Sequence, residues 1–224
     1  EYEKLIKTFS KNIDSDALFL LDGNYMKSSR TPRFEGKKVI VTGSDTGLGR
    51  GIALEFARRG AEVALHYPLD KFKRGAQSAV DLITEYGGKA KAFPGDFKTQ
   101  KGVDSFWQEA FNYLRGINVL VNNAGITMSR GLEEVTEAQY DTVYNVNVKA
   151  MHRLTQHVAP YMKDQEDGAI VNMASICGIL GLAEFTVYCG TKGAITAMTR
   201  ALAMDFAPHN VRVNAIAPDG VSMP

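Results

Sequence analysis

The sequence predicts an α/β fold of three layers, in which a doubly wound parallel sheet is covered by helices on both faces. Short apolar segments alternate with longer helical patterns from residue 37 onward. The strand segments are apolar at nearly every position, as in parallel sheets that are buried on both faces. Because crossovers between parallel strands are right-handed, ligands are expected at the carboxyl ends of the strands.

The predicted elements alternate regularly along the chain. Strands are predicted at 38–41, 62–67, 90–93, 117–121, 169–173 and 211–216, and helices at 47–60, 74–86, 99–114, 136–162 and 185–206. Gly60 and Gly87-Gly88 end the first two helices, as glycine commonly does. Since no strand follows 211–216, we expect a C-terminally truncated sheet with one exposed edge.

Composition indicates one large domain with a substantial core, because 45% of the 224 residues are hydrophobic. Residues 1–35 are predicted to form an N-terminal arm, and 36–224 the domain. Lys and Arg number 26 against 25 Asp and Glu, so no nucleic-acid partner is expected. No apolar run has the length of a membrane span. Two cysteines, Cys177 and Cys189, are too few for a disulfide framework and lack metal-site spacing, which favours a reducing, cytoplasmic location.

A glycine-rich turn follows the first strand directly, with the sequence Thr42-Gly43-Ser44-Asp45-Thr46-Gly47-Leu48-Gly49. Gly43 permits a tight turn, Gly47 lets the backbone approach a pyrophosphate, and Gly49 allows close packing of helix on strand. The N-terminus of the following helix offers N–H groups and partial positive charge to phosphates. This spacing is not the commoner dinucleotide fingerprint, and a plain strand–helix turn is the alternative.

The end of the second strand bears on the choice between NADP and NAD. His66-Tyr67-Pro68 stands where NAD enzymes commonly place an acidic residue for the ribose 2′-hydroxyl. The cations of Lys71, Lys73 and Arg74 follow, and a 2′-phosphate favours such groups. The sequence therefore favours NADP(H) over NAD(H), while Asp70 keeps NAD(H) as an alternative.

Tyr188 and Lys192 lie four residues apart, thirteen positions after Ser175. On a helix this spacing puts both side chains on one face. A tyrosine with a pKa of about 10 is a poor acid–base catalyst at neutral pH, but a nearby ammonium group lowers that pKa. Ser175, at a strand end, is placed to donate a hydrogen bond to a substrate oxygen. The pattern predicts transfer of hydride between a nicotinamide cofactor and a carbonyl or alcohol.

With Asn122-Asn123-Ala124-Gly125 and Asn147, these motifs resemble the short-chain dehydrogenase/reductase family over residues 37 to about 218. The resemblance implies a Rossmann-type fold and a catalytic tetrad of Asn147, Ser175, Tyr188 and Lys192, with Asn145 as a rival to Asn147. It implies that Asn147 holds a relay water and that Asp96 meets the adenine amino group. The cofactor-binding residues are then expected to be Gly43, Ser44, Thr46, Gly47, Leu48, Gly49, His66, Tyr67, Asp96, Asn123, Ala124, Gly125, Tyr188, Lys192 and Pro218.

The end of the chain departs from the family pattern. Asp219 stands where the family has Gly after Pro218, and Met223 where it has a Thr that binds the cofactor carboxamide; Ser222 is a substitute for that Thr. This motivates an alternative function, a catalytically weak nucleotide-binding subunit with a regulatory or oligomer-forming role. A homodimer or homotetramer through helices 136–162 and 185–206 is also expected.

The substrate is less well specified than the chemistry. The general pattern is similar to the glucose dehydrogenase and 3-oxoacyl-carrier-protein reductase branches of the family. Ile179, Leu180 and Leu182 indicate an apolar wall beside Ser175. An acyl, steroid-like or aromatic carbonyl is therefore favoured over a free sugar.

Overall fold

The computed structural model describes residues 33–221, and most of the predicted N-terminal arm lies outside this range. Six parallel strands form one sheet in the order β3-β2-β1-β4-β5-β6. The strands are β1 (Lys38–Val41), β2 (Glu62–Tyr67), β3 (Lys89–Pro94), β4 (Val119–Asn122), β5 (Gly168–Met173) and β6 (Val211–Ile216). The helices are α1 (Gly47–Arg58), α2 (Lys73–Glu85), α3 (Gln100–Leu114), α4 (Glu137–Tyr144), α5 (Ala150–Asp164) and α6 (Thr186–Phe206). The predicted doubly wound fold is confirmed.

The core consists of two apolar layers, one on each face of the sheet. The larger layer joins the sheet to α3, α5 and α6 around side chains such as Phe106, Leu120 and Ile170, which are fully buried. The smaller layer joins β1 and β2 to α1 and α2 around Val39, Leu65 and related residues. Burial on both faces explains why these strands are apolar at nearly every position.

One predicted helix is interrupted. The sequence predicts a continuous helix over 136–162, but residues Asn145–Lys149 form a π-helical segment between α4 and α5. A capping box starts α4, since the Thr136 hydroxyl accepts from the Gln139 N–H and the Gln139 side chain accepts in return from the Thr136 N–H. The wider π turn changes the helical register at Asn147, and such turns are frequent at functional sites.

The strand order reverses direction between β1 and β4, and the carboxyl ends of both strands continue into polar segments. β1 pairs with β2 on one side and with β4 on the other. Connections from these two strands therefore diverge and leave a crevice at the edge of the sheet. All the candidate site residues follow or face that edge.

Candidate active site

The glycine-rich turn is fastened to the segment after β4 by a compact set of hydrogen bonds. The N–H groups of Asn123 and Ala124 both donate to Thr42 Oγ1 at 2.9 Å. The Asn123 side chain donates to the carbonyl oxygens of Thr42 and Gly43, at 2.9 and 3.0 Å. Thr42 was not among the predicted site residues, although its place before the first glycine was the available signal. Thr42 joins the two walls of the crevice.

The turn has room only for glycine at several positions. Gly43 and Gly47 have φ values of 59° and 57°, in the left-handed region that other residues avoid. A Cβ on Gly49 would overlap the Gly43 carbonyl oxygen and the Asn123 amide, and one on Gly43 would lie 2.9 Å from the Cα of Ala124. Close backbone approach is what a phosphate site at a strand–helix turn requires.

The start of α1 is suited to an anion. Its N-cap residue, Thr46, makes no side-chain capping bond, and the first turn contains no acidic residue. Thr46 and Leu48 are exposed beside the turn. The N–H groups and positive dipole end of this helix are therefore directed at the crevice without a competing carboxylate, which fits a pyrophosphate.

Two of the residues expected at the nucleotide have their side chains occupied within the protein. Ser44 is fully buried, and its hydroxyl donates to the Val41 carbonyl at 2.8 Å. The His66 ring is also buried, and both of its nitrogens bond to backbone groups. These two side chains support the turn from its buried side. Tyr67 is buried at the end of β2, and Asp96 is half-buried, with a carboxylate oxygen accepting from the Lys98 N–H at 3.1 Å.

The Tyr–Lys–Ser group is assembled where α6 passes over the end of β5. Lys192 is buried, and its Nζ donates to the Met173 carbonyl at 2.6 Å, while lying 5.6 Å from the centre of the Tyr188 ring. Ser175 lies close enough to Tyr188 to lower the pKa of its phenol. Ser175 follows β5 and caps a short 3₁₀ turn, accepting from the Cys177 N–H. The predicted proximity of the three side chains is present.

Burial sets the electrostatics of this group. It lowers the pKa of Lys192 to about 8, because the ammonium form loses hydration. It also raises the pKa of Tyr188, and the neighbouring Ser175 opposes this shift. For the protein by itself this reverses the predicted lowering by Lys192. The reason is that desolvation of the phenolate is the largest effect, whereas the Lys192 ammonium group bonds to the Met173 carbonyl and does not contribute to the shift.

Asn147 links the π segment to both neighbouring parts of the site. Its amide oxygen accepts from the Ile126 N–H at 2.8 Å, and its nitrogen donates to the Ile126 carbonyl at 2.9 Å and to Thr191 Oγ1 at 3.1 Å. A Cβ on Gly125 would lie 3.4 Å from the Asn147 oxygen and 3.7 Å from Lys192 Nζ. Asn145 instead lines a cavity of about 370 Å³ between α3 and α5. Of the two candidate asparagines, only Asn147 faces α6, the helix that carries Tyr188 and Lys192.

A hydrogen-bonded row of buried polar side chains, called here the polar ladder, lies beneath the site and was not predicted from the sequence. The Asn122 amide donates to Asn172 at 2.9 Å, and Asn172 donates to Thr199 on α6 at 3.0 Å. Asn122 Oδ1 is the one buried side-chain polar atom without a protein partner in the described part of the chain. The ladder ties β4, β5 and α6 together. The apolar surroundings of Asn172 and Thr199 gave no sequence signal for it.

The open side of the crevice is formed by loops. The Arg130 N–H donates to the Glu184 carbonyl at 2.7 Å, which joins the loop after β4 to the loop before α6. Ile179, Leu180 and Leu182 are exposed on the latter loop, by 65, 60 and 52%. The Pro218 carbonyl accepts from the Ile176 N–H at 2.9 Å, so this residue lies beside the turn after Ser175. Ser222 and Met223 lie outside the described residues.

The fold and the site define a nucleotide-binding α/β protein of the oxidoreductase class. A family model described as short chain dehydrogenase matches residues 37–224. The chain belongs to the short-chain dehydrogenase/reductase family. None of the helices between residues 33 and 221 has both the length and the hydropathy to cross a membrane.

Proteins similar in sequence and solved structures agree with this membership. The chain is 37% identical to hydroxynaphthalene reductase-like protein Arp2 of Metarhizium brunneum over 196 residues. The matched region covers 87% of this chain and 72% of the relative. A protein described as an NAD(P)-dependent gluconate 5-dehydrogenase of Beutenbergia cavernae, with NADP bound at low occupancy, is 34% identical with a TM-score of 0.78, over 84% of this chain and 74% of that one. Acetoin dehydrogenase of Salmonella typhimurium has 28% identity and a TM-score of 0.80 over the same shares.

Proposed function

We propose that the protein is an NAD(P)(H)-dependent dehydrogenase/reductase that interconverts a carbonyl and an alcohol, with Tyr188 as the acid–base residue. The observation that supports this most directly is the juxtaposition of Tyr188, Ser175 and Lys192 in a crevice whose glycine-rich turn has no space for a Cβ at Gly43 or Gly49. The bound nucleotide supplies or accepts the hydride. The protein's own groups supply the proton, the orientation of the substrate and the shielding from water.

Each polar group then has one task. Tyr188 donates its phenolic proton to the carbonyl oxygen during reduction and recovers it by way of Lys192. Ser175 donates a hydrogen bond to the same oxygen and stabilises the charge that develops there. Lys192 would also bind the ribose of the nucleotide. Asn147, fixed by its bonds to Ile126 and Thr191, holds a water that links Lys192 to solvent.

The neutralising partner for the Tyr188 phenolate is the combination of the Lys192 ammonium with a positive nicotinamide ring. Burial alone raises the pKa of Tyr188. A positive nicotinamide ring bound beside Tyr188 would add a second positive charge in a buried site, where charge interactions are strong. Tyr188 is thus expected to become an effective base only in the complex with the oxidised nucleotide.

We favour NADP(H) over NAD(H) as the nucleotide. Lys71, Lys73 and Arg74 are exposed at the start of α2, next to the end of β2, and form no ion pair among the described residues. A 2′-phosphate at this place would gain from all three cations. Asp70, exposed in the short 3₁₀ turn just before α2, has the opposite effect and keeps NAD(H) as the alternative.

The exposed apolar wall favours a hydrophobic carbonyl as substrate. Ile179, Leu180 and Leu182 present apolar surface beside Ser175 that a flat or acyl substrate would bury. The relation to a hydroxynaphthalene reductase-like protein supports an aromatic or fused-ring ketone within this class. Acetoin and keto-gluconate, which correspond to the names of two structural relatives, serve as small polar comparison substrates.

The alternative function is a catalytically weak nucleotide-binding subunit. It keeps the nucleotide turn and assigns no chemistry to Tyr188. The position of the buried Lys192 5.6 Å from the centre of the Tyr188 ring, beside the buried Ser175, argues against it, since nucleotide binding alone does not require such a group. Association into a dimer or tetramer through the two long helical regions belongs to both functions, and sedimentation of the protein would reveal it.

The decisive experiment is a titration of the protein with NADPH and NADH, followed by nucleotide fluorescence, and then a turnover assay on a carbonyl panel. Tight NADPH binding with turnover of aromatic ketones is the expected result. Binding with no turnover on any carbonyl would favour the regulatory subunit. Binding of neither nucleotide by the folded protein would refute both functions.

A further inference from the structure

His66, at the carboxyl end of β2, has ring contacts that fix its protonation state. Nδ1 lies 2.9 Å from the backbone nitrogen of Gly43, which can only donate a hydrogen bond. Nε2 lies 2.8 Å from the carbonyl oxygen of Gly95, which can only accept. The ring must therefore be neutral, with its single hydrogen on Nε2 and its lone pair on Nδ1 directed at Gly43. Neither the other tautomer nor the imidazolium ion satisfies both neighbours.

The surroundings of the ring prevent it from turning to another arrangement. It is stacked on Phe97 with ring centres 3.9 Å apart and an interplanar angle of 17°, and meets the edge of Phe106 at 4.8 Å. Its own backbone is clamped to the turn, since the His66 N–H donates to Ser44 Oγ and the Ser44 N–H donates to the His66 carbonyl, at 2.9 and 3.0 Å. The lone pair of Nδ1 thus has a fixed direction.

We propose that His66 is a positioning residue for nucleotide binding, which sets the orientation of the Gly43 peptide by accepting its hydrogen bond through Nδ1. This inference rests on the proposed function of the turn. Without His66 the Gly43 N–H would have no acceptor, and the orientation of its peptide would depend on the bond from Asn123 to the Thr42 carbonyl. The side chain itself is 1% exposed and behind the turn, so it acts through Gly43 and not by touching the nucleotide.

Protonation of His66 would put a second hydrogen against the Gly43 N–H. Burial lowers the pKa of His66 to about 4, and the hydrogen bond to Gly95 opposes that shift. Along the chain, the ionisable groups nearest these contacts are Asp45 in the turn, Tyr67 on β2, and Asp96 and Lys98 after β3. None of them contributes to the shift, and the faces of Phe97 and Phe106 next to the ring are apolar. The neutral ring is therefore the form present at neutral pH.

Two substitutions separate the two hydrogen bonds of the ring. In His66→Asn, Oδ1 takes the place of Nδ1 and can still accept from Gly43, while the bond to Gly95 is lost. In His66→Gln, Nε2 takes the place of the ring Nε2 and can still donate to Gly95, while the Gly43 N–H loses its acceptor. Each variant loses one bond and part of the packing on Phe97, so they are matched controls for each other.

The proposal predicts that NADP⁺ affinity follows the bond to Gly43 and not the thermal stability. At pH 7 His66→Asn should bind NADP⁺ within about threefold of wild type, and His66→Gln about tenfold or more weakly, since an unmet buried donor is costly. Both melting temperatures should fall by similar amounts. Equal affinity for the two variants, or affinity losses that track melting temperature, would overturn the proposal.

A measurement without nucleotide separates this inference from the proposed function. Nitrogen-detected NMR of histidine-labelled protein, with His66 assigned by its absence in the Asn variant among the four histidines, should show an unprotonated Nδ1 and a protonated Nε2 at pH 7. The opposite tautomer or an imidazolium signal would refute the positioning role. If the expected tautomer is seen but wild type binds neither nucleotide, the proposed function fails and, with it, the role of His66 in binding.

Discussion

The nucleotide turn and the apolar wall lie at the same edge of the sheet but are built in opposite ways. In the turn, hydrogen bonds from Asn123 and to His66 fix the backbone of Thr42 and Gly43. In the wall, Ile179, Leu180 and Leu182 are more than half exposed. The first arrangement suits a ligand whose shape does not change, whereas the second leaves the substrate surface free to vary. The Tyr–Lys–Ser group lies between the two.

The largest effect is expected where these two regions meet. Tyr188→Phe removes the proton donor, while the ring still packs beside Lys192 and Phe185. We expect kcat to fall by roughly 10³-fold, as acid–base groups contribute about 10²–10⁴, with nucleotide affinity unchanged. Steady-state kinetics and a nucleotide titration on the same sample test this.

Tyr140→Phe provides the control for loss of a phenol away from the site, since Tyr140 is partly exposed and stacks on Tyr144. It should retain wild-type turnover. If Tyr188→Phe also retained turnover, the chemistry assigned to the centre of the crevice would be wrong, and the turn would serve a binding function only.

The rigidity of the turn should also appear in the pH dependence of folding. His66 has a pKa of about 4 in the folded chain and about 6.5 when unfolded, so its neutral form stabilises the fold above pH 6.5. That contribution is lost as pH falls from 6.5 to 4, because the unfolded chain binds the proton first. The shift corresponds to about 3 kcal/mol.

Urea unfolding of wild type and His66→Asn at pH 7 and pH 4 measures this contribution. Other titrating groups affect both proteins alike, so the difference between them isolates His66. We expect wild type to lose about 3 kcal/mol more than the variant over this range. Parallel loss in the two proteins would mean that His66 titrates normally and that the turn is less tightly held than the distances indicate.

The steric limit of the turn gives a third test. Gly49→Ala places a Cβ against the Gly43 carbonyl and the Asn123 amide, and both are held by other bonds. We expect NADP⁺ affinity to fall about tenfold to a hundredfold, in line with the roughly 1–3 kcal/mol cost of overpacking. Gly181→Ala, where a Cβ meets nothing within 4 Å, should bind as wild type does. Unchanged affinity in Gly49→Ala would show that the turn can relax.

The contrast between these regions also explains which parts of the fold and the site could be predicted from the sequence. The glycine spacing and the Tyr188/Lys192 interval were readable because each follows from sterics or helical geometry that is local in the chain. The π segment at Asn145–Lys149 was not, since Asn-Val-Asn-Val-Lys is compatible with an ordinary α-helix and the register change depends on bonds from Asn147 to Ile126 and Thr191.

Burial accounts for the remaining differences between the sequence-based predictions and the structure. His66 stood where a nucleotide contact was expected, and only its contacts with Gly43 and Gly95 show that the ring faces inward. The direction of the Tyr188 pKa shift was likewise set by desolvation, which depends on how α6 packs over β5. Charge pairing is visible in a sequence, whereas the degree to which a pair is removed from water is a property of the folded chain.

The smallest effect is expected at the apolar wall. It distinguishes substrate recognition from catalysis, nucleotide binding and folding. Replacing Ile179 and Leu182 by Ser removes apolar surface that is already exposed in the protein, so folding and nucleotide affinity should hardly change. A hydrophobic ketone that covers this wall would lose about 1–2 kcal/mol of burial, which corresponds to a rise in KM of roughly five- to thirtyfold. Acetoin, too small to reach both side chains, should show no change. Melting temperature and NADPH affinity should be measured alongside the kinetics. If the loop contacts the substrate, only KM for the hydrophobic ketone changes. If the loop instead supports α6, kcat changes for both substrates. An equal rise in KM for acetoin and the aromatic ketone would place the hydrophobic part of the substrate elsewhere in the crevice and leave Ile179 and Leu182 without a role in selectivity.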